Sequence, residues 1–215
     1  EGLNVVEFYS VDNAGNVEPS KSITVKVTTF PSTSLLDNFN RANGLLGSNW
    51  SGSTTSGQYR ILSQQVDVGL GGPLYWAAAS FGANQEAFMR LSAIDPRTEH
   101  HTLMLKVKNN DVNKGGILVS YDAKRNRIIV EALKVGQGWK TVAAFPATLA
   151  NGDTLGARAL ADGKVRVYVN CVFVGQGDTT TQVGSAYVNV GGRIGVWYLD
   201  APNAVFDNFG GGTAP

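Results

Sequence analysis

Apolar residues recur at every second position in short runs along most of this chain, and the runs stop at glycine. In Lys164–Asn170, Val165, Val167 and Val169 alternate with Lys164, Arg166, Tyr168 and Asn170. The same alternation sets Leu103, Leu105 and Val107 against Thr102, Met104 and Lys106, and Ile194, Val196 and Tyr198 against Gly195 and Trp197. Two further runs follow it, Ile117–Tyr121 and Ile128–Ala132. A period of two predicts strands with one face buried. Between the runs stand turn residues, among them Asp122–Asn126, Gly136-Gln137-Gly138 and Asp162-Gly163. The last of these supplies the positive φ of a tight hairpin. Only Gln85–Ile94 is rich in helix formers, yet Ala87, Met89, Leu91 and Ala93 keep the period of two, so a strand is expected there too. About a dozen strands and almost no helix predict an all-β, antiparallel sandwich.

The first 29 residues read as a separate piece: a strand at Val5–Ser10, a turn at Asp12–Asn16 and a second strand at Ser22–Val27. A lone hairpin is marginal in water. It is therefore expected to be the end of a domain that begins upstream. Residues 30–34 (Phe30-Pro31-Ser32-Thr33-Ser34) read as a linker, and residues 35–212 as a complete sandwich.

Composition narrows the partners. The chain has 215 residues, with Lys+Arg 18 and Asp+Glu 17, so no basic excess exists to neutralise phosphates and nucleic-acid binding is not expected. No apolar run approaches the roughly 20 residues that span a bilayer, so no membrane insertion is expected. The polar opening Glu1–Asn4 has no leader pattern. Charged residues are 16% of the chain against roughly 25% on average, a surface suited to a neutral polymer. A single cysteine, Cys171, excludes an internal disulfide. Asn49-Trp50-Ser51 fits a glycosylation sequon and reads as a loop.

Two resemblances stand on named residues. Tyr9, Ser10, Asp12, Ala14, Gly15, Asn16 and Glu18 resemble the closing hairpin of bacterial Ig-like repeats. Asp37–Trp50, Gly163–Asn170, Gly191–Trp197 and Phe206–Phe209, in that order, resemble the concanavalin A-like (laminin-G-like) jelly-roll domains of bacterial extracellular proteins. Together they imply a jelly-roll β-sandwich preceded by the remnant of an Ig-like spacer. They also imply an extracellular or cell-surface location and further domains on the same parent chain. The second resemblance implies a structural Ca²⁺ near the terminal strands, held by Asp37 and Asp207. The alternative is that both carboxylates cap turns through backbone N–H groups. One position departs from the pattern: Cys171 stands where the hairpin after Asn170 usually has glycine. Either that turn is of another type or it is strained.

The fold hosts lectins, binding modules, glycosidases, lyases and spacers, so function rests on the site. Retaining glycosidases need two carboxylates about 5 Å apart. Glu86, Glu99 and Glu131 have no acidic partner at i+2 or i+4, and no Gln-x-His or G-x-S-x-G pattern occurs. His100-His101 are adjacent, so they point to opposite faces of a strand and are poorly placed to share a metal. Sugar binding needs aromatic platforms ringed by polar groups. Tyr75, Trp76, Arg158, Arg166, Tyr168 and Trp197 are the candidates, with Trp139 exposed at a hairpin and Trp50 in the core. The leading expectation is a non-catalytic module for a polysaccharide or glycan. The alternatives are a structural or adhesion module, and a glycoside hydrolase or polysaccharide lyase with an unrecognised active site.

Overall fold

The computed structural model describes residues 2–27 and 30–215. The chain divides into two compact units, residues 1–30 and 31–215. The division lies between Phe30 and Pro31, inside the expected linker, and residues 28 and 29 are outside the described residues. In the first unit β1 (Gly2–Phe8) and β2 (Lys21–Val27) pair antiparallel, with Val5 opposite Thr24 and Phe8 opposite Lys21. Asp12 organises the turn by accepting hydrogen bonds from the Ala14 and Asn16 N–H groups and from Asn16 Nδ2, which holds its carboxyl below the usual range.

The second unit is a two-layer sandwich. Its strands are β3 (Leu35–Asp37), β4 (Trp50–Gly52), β5 (Tyr59–Leu62), β6 (Gln65–Val68), β7 (Gly71–Trp76), β8 (Gln85–Ala93), β9 (His100–Val107), β10 (Ile117–Asp122), β11 (Arg127–Lys134), β12 (Gly138–Pro146), β13 (Thr154–Ala159), β14 (Lys164–Val169), β15 (Val172–Asp178), β16 (Arg193–Leu199) and β17 (Val205–Thr213). One sheet runs β12-β11-β10-β9-β16-β7-β4 and the other β15-β14-β13-β8-β17-β6-β5, with β3 added to β17. The first and last strands of the sandwich therefore meet, Asp37 opposite Phe209. Gln85–Ala93 is a strand, as its period of two predicts. A four-residue helix, α1 (Thr180–Val183), is the only α-helix among the described residues.

Alternation fills the interior. Leu103, Leu105, Ile117, Val119, Ile128, Val130 and Val196 from one sheet meet Ala87, Met89, Leu91, Leu155, Ala157, Val165 and Val167 from the other, all fully buried. Each large side chain so buried contributes roughly 1.5–3 kcal/mol. An aromatic group closes one end: Tyr198 stacks on Phe206 at 5.3 Å, and Tyr59 lies edge-on to both. The Tyr59 hydroxyl donates to Gly72 O (2.6 Å) and accepts from the Tyr198 N–H (3.1 Å), so its burial leaves no polar group unpaired.

Two positions break the alternation. On β9 an extra residue makes a bulge opposite β16, because Arg193 pairs with Val107 and Gly195 with Met104. Lys106, at φ +51, is turned by it into the interior, where its Nζ donates to Leu160 O and Tyr187 O. Burial pushes that ammonium down to about 8. The second break is the two-residue loop between β14 and β15, where Asn170 and Cys171 have φ +50 and +64. Two positive φ values mark a type I′ turn, so the turn is of the expected type and Cys171 is the strained residue.

His100-His101 divide as adjacent strand residues must. His101 is buried between the Tyr121 and Tyr198 rings, its Nε2 accepting from the Asp95 N–H at 3.0 Å, and His100 is half-buried. Burial lowers His101 from 6.5 to about 4. Between those values the unfolded chain binds a proton that the folded chain excludes, so stability falls with falling pH across this window, by about 3 kcal/mol in all. The thermal midpoint is expected to drop between pH 6.5 and 4, and His101→Gln to flatten that part of the profile. Equal slopes in the two proteins would assign the loss elsewhere. Cys171→Gly is expected to raise stability by about 0.5–1 kcal/mol in a urea titration by relieving the positive φ.

Candidate functional site

The sheet faces turned away from the core are where function can reside, and the two differ. On the seven-stranded sheet the pairings lay out two rows of outward side chains. One runs Pro73, Trp197, Thr102, Ser120, Ile129 across β7, β16, β9, β10 and β11. The other runs Tyr75, Gly195, Met104, Leu118, Glu131, Thr141 and reaches β12. Tyr75, Met104, Val107, Val112 and Leu118 form a second apolar cluster, separate from the core, and Trp139 and Trp197 pack on its margins. Thr102 and Ser120 are 1% and 2% exposed, although they point away from the opposite sheet. Their hydroxyls bond to each other at 2.8 Å. This face is thus a floor of buried side chains flanked by half-exposed Trp197 and Trp139, which stand four strands and about four residues apart, roughly 23 Å at the backbone.

Four local features shape that floor and make it polar in part. Gly195 lets β16 approach β7 closely: a Cβ there would lie 2.1 Å from Leu74 O. The Tyr75 hydroxyl accepts from the Val112 N–H (3.1 Å), which folds the β9–β10 loop onto one end of the face. Ser51, opposite Tyr75, has a buried hydroxyl with no hydrogen-bond partner among the described residues. Glu131 stands half-buried one strand from Trp139, and no ion pair or hydrogen bond holds its carboxylate among the described residues. Burial raises its pKa. It can accept hydrogen bonds from a ligand lying against the tryptophan.

The six residues expected to form one site do not come together. Tyr75 and Trp197 are on this face. Trp76 points the other way, into the core, edge-on to Trp50 at 5.4 Å. Arg158, Arg166 and Tyr168 lie on the outer face of the opposite sheet. There Glu86, fully buried, accepts from Arg158 Nε and Nη2 and from the backbone N–H and hydroxyl of both Ser32 and Thr33. Arg158 thereby anchors the incoming segment. Arg166 bonds Gln176 (3.2 Å), and Tyr168 is 1% exposed beneath Phe173. Trp139, Glu131, Thr102 and Ser120 join the face instead. Alternation could have put them opposite Ala132, Leu103 and Val119, but only the pairing order shows that they share a sheet with Trp197.

Asp37 and Asp207 are near each other on paired strands, and the resemblance implied a cation between them. The donors present do not fit one. Asp37 accepts from Phe39 N–H and Arg41 Nη1 on one oxygen, and from Arg41 Nη2 and Trp50 Nε1 on the other. Burial alone would raise its pKa, but these donors outweigh burial and lower it. Asp207 accepts from the Asn208 N–H and Nδ2, and burial raises it. The arrangement is an ion pair with caps, complete without a metal. Among the described residues no group of three His, Cys, Asp or Glu is placed to hold one.

Hydrolysis needs a second acid near Glu131. On the same face the next carboxylate is Asp122, paired with Arg127 and four residues along β11 from Glu131, roughly 13 Å. That exceeds the span of retaining or inverting pairs. Arg125 and Arg127 also bind Asp122 and hold it ionised.

No family model and no curated protein matches the chain. Solved structures do share its fold. A Bacillus subtilis protein of unknown function with a galectin-like fold aligns with TM-score 0.59 at 13% identity, over 83% of this chain and 96% of that one. The endo-β-1,3-glucanase of Pyrococcus furiosus aligns with 0.51 at 13%, over 83% and 93%. The Emp47p carbohydrate recognition domain aligns with 0.50 at 14%, over 82% and 92%. At such identity the likeness is one of fold, and the fold is a galectin-like, concanavalin A-like jelly-roll sandwich.

Asp37→Asn is expected to lower stability by about 2 kcal/mol in chemical denaturation, because it removes a carboxylate bonded to Arg41 and Trp50. EDTA and added Ca²⁺ are expected to leave the thermal midpoint of the native protein unchanged. A calcium-dependent rise would restore the metal reading.

Proposed function

We propose that the sandwich is a non-catalytic carbohydrate-binding module whose ligand lies across the outer face of the seven-stranded sheet. The observation that carries this reading is the pair Trp197 and Trp139, half-exposed on either side of a floor that bears Glu131. Indole faces stack on the C–H faces of sugar rings, and a carboxylate accepts from vicinal hydroxyls. A glycan running diagonally across the strands meets both tryptophans. The fold neighbours include a carbohydrate recognition domain and a glucanase, which supports a sugar ligand in general. The separation of Glu131 from Asp122 favours binding over turnover. Trp197, Trp139 and Glu131 are partly exposed around a buried floor, so a ligand buries little area and affinity is modest. The hairpin of the first unit, with its Ig-like sequence, is read as belonging to a spacer in a larger extracellular or cell-surface protein.

A glycan array followed by titration calorimetry on the best binder tests the reading. Trp197→Ala and Trp139→Ala are each expected to weaken binding about tenfold, roughly 1.4 kcal/mol, while Arg166→Ala on the opposite face leaves it unchanged. Incubation with the bound polymer is expected to release no products. Turnover abolished by Glu131→Gln would replace this reading with a glycosidase, and binding indifferent to both tryptophans would move the site off this face.

A further inference from the structure

The β9–β10 loop and the start of β16 enclose a cleft of about 490 Å³ lined by Ser80, Lys108, Asn109, Asn110, Gly192 and Arg193. Two cations line it and no acid does. Most cations of this nearly neutral protein are ion-paired, as with Arg41, Arg60, Arg97, Arg125, Arg127, Arg158 and Lys164. Lys108 and Arg193 have no carboxylate partner among the described residues, and no acid lines the cleft. Lys108 Nζ rests 5.9 Å from the Tyr187 ring centroid. Arg193 commits Nη1 to Ala77 O (2.7 Å), which fixes the guanidinium and leaves its other donors open. The nearest acid in sequence, Asp111, is turned to Asn113 and Lys114.

The cleft also presents unused polar groups on a constrained backbone. Asn109 and Asn110 both have positive φ, +55 and +53, and their side-chain amides bond to no described residue. They are the two central residues of a type I′ turn closed by the Asp111 N–H on Lys108 O, which holds their side chains at the cleft. Two unpaired cations with free amide donors form a receptor for an anionic group, and the Arg193 fork suits a planar carboxylate or an oxyanion ester. Val107 lines the cleft and belongs to the apolar cluster under the tryptophans. Arg193 and Trp197 lie four residues apart on β16, roughly 13 Å, a distance that an oligosaccharide bridges.

The geometry points to an acidic glycan as the ligand: a sugar carrying a carboxylate or sulfate seats that group between Lys108 and Arg193 while a neighbouring ring stacks on Trp197. This assignment rests on the carbohydrate-binding reading and narrows it. The low overall charge had suited a neutral polymer, and the cleft adds a cationic site to that surface.

Calorimetric titration of the full chain with three oligosaccharides of equal length, one neutral, one uronate-containing and one sulfated, separates the cases. One or both acidic ligands are expected to bind at least tenfold tighter than the neutral one, and the arm that gains identifies the anion. The preference is expected to shrink as NaCl rises from 25 to 250 mM. Lys108→Gln/Arg193→Gln is expected to abolish the preference and leave neutral binding and the thermal midpoint unchanged. Trp197→Ala is expected to weaken all the ligands that bind. Equal binding of acidic and neutral ligands, or a preference that survives the double substitution, overturns the cleft assignment while the sugar-binding reading stands. Loss of acidic binding in the double variant with no effect of Trp197→Ala retains the cleft and overturns the stacking face. No binding by any of the three overturns the assignment.

Discussion

In a two-layer sandwich each strand points alternate residues into the core, and only the other half are available for anything else. The consequence is sharpest on β16. Tyr198 is stacked in the interior against Phe206, and Trp197, its neighbour in sequence, stands on the outer face. A shift of one residue would exchange them, exposing the core tyrosine and burying the platform. The core residues thus determine the site indirectly. Val196 and Tyr198 fix the register of β16, and the register sets where the indole stands. The same holds for β11, where Val130 and Ala132 facing inward put Glu131 outward.

Buried charge imposes the second constraint. Removing a charge from water is tolerated only where donors or acceptors replace the solvent. Glu86 meets this with the Arg158 guanidinium and four groups from Ser32 and Thr33, and Lys106 with two carbonyls and the bulge that aims it. Both consume residues that would otherwise face solvent. This is why an arginine with the right alternation for a binding face serves instead to pin the segment at 32–33 to the middle of a sheet. Asp37 repeats the pattern with Arg41 and Trp50.

Strand content was legible because the period of two survives without interruption through β10, β13 and β14. Gln85–Ala93 was resolved correctly by its inward Ala87, Met89 and Leu91 against a composition that favours helix. That the terminal strands lie together was implied by the jelly-roll resemblance, which put Asp37 and Asp207 near each other. The grouping of the site was not. Alternation tells which side of its own strand a residue occupies, but not which sheet the strand joins. Tyr168 and Trp197 therefore had equal claims, although the chain places them on opposite sheets. Lys106 was hidden differently, since an alternating pattern assigns it outward and one inserted residue reverses it. Trp139 was visible as exposed but became a partner of Trp197 only through the strand order β12-β11-β10-β9-β16.

The position of β17 bears on how such a molecule comes into being. This strand, the last of the sandwich, lies between β8 and β6 and also carries β3. Until residues 205–213 emerge from the ribosome, the second sheet is divided, and the strands that will flank β17 present open hydrogen-bonding edges and the apolar side chains of Met89, Leu91 and Val66. Such edges accept any extended partner, including the same strand from a neighbouring nascent chain. Closure must also bring together segments far apart in sequence, which makes it slow. The fold is therefore exposed to misassembly until β17 is in place, and the insertion of that strand is the event that ends the hazard.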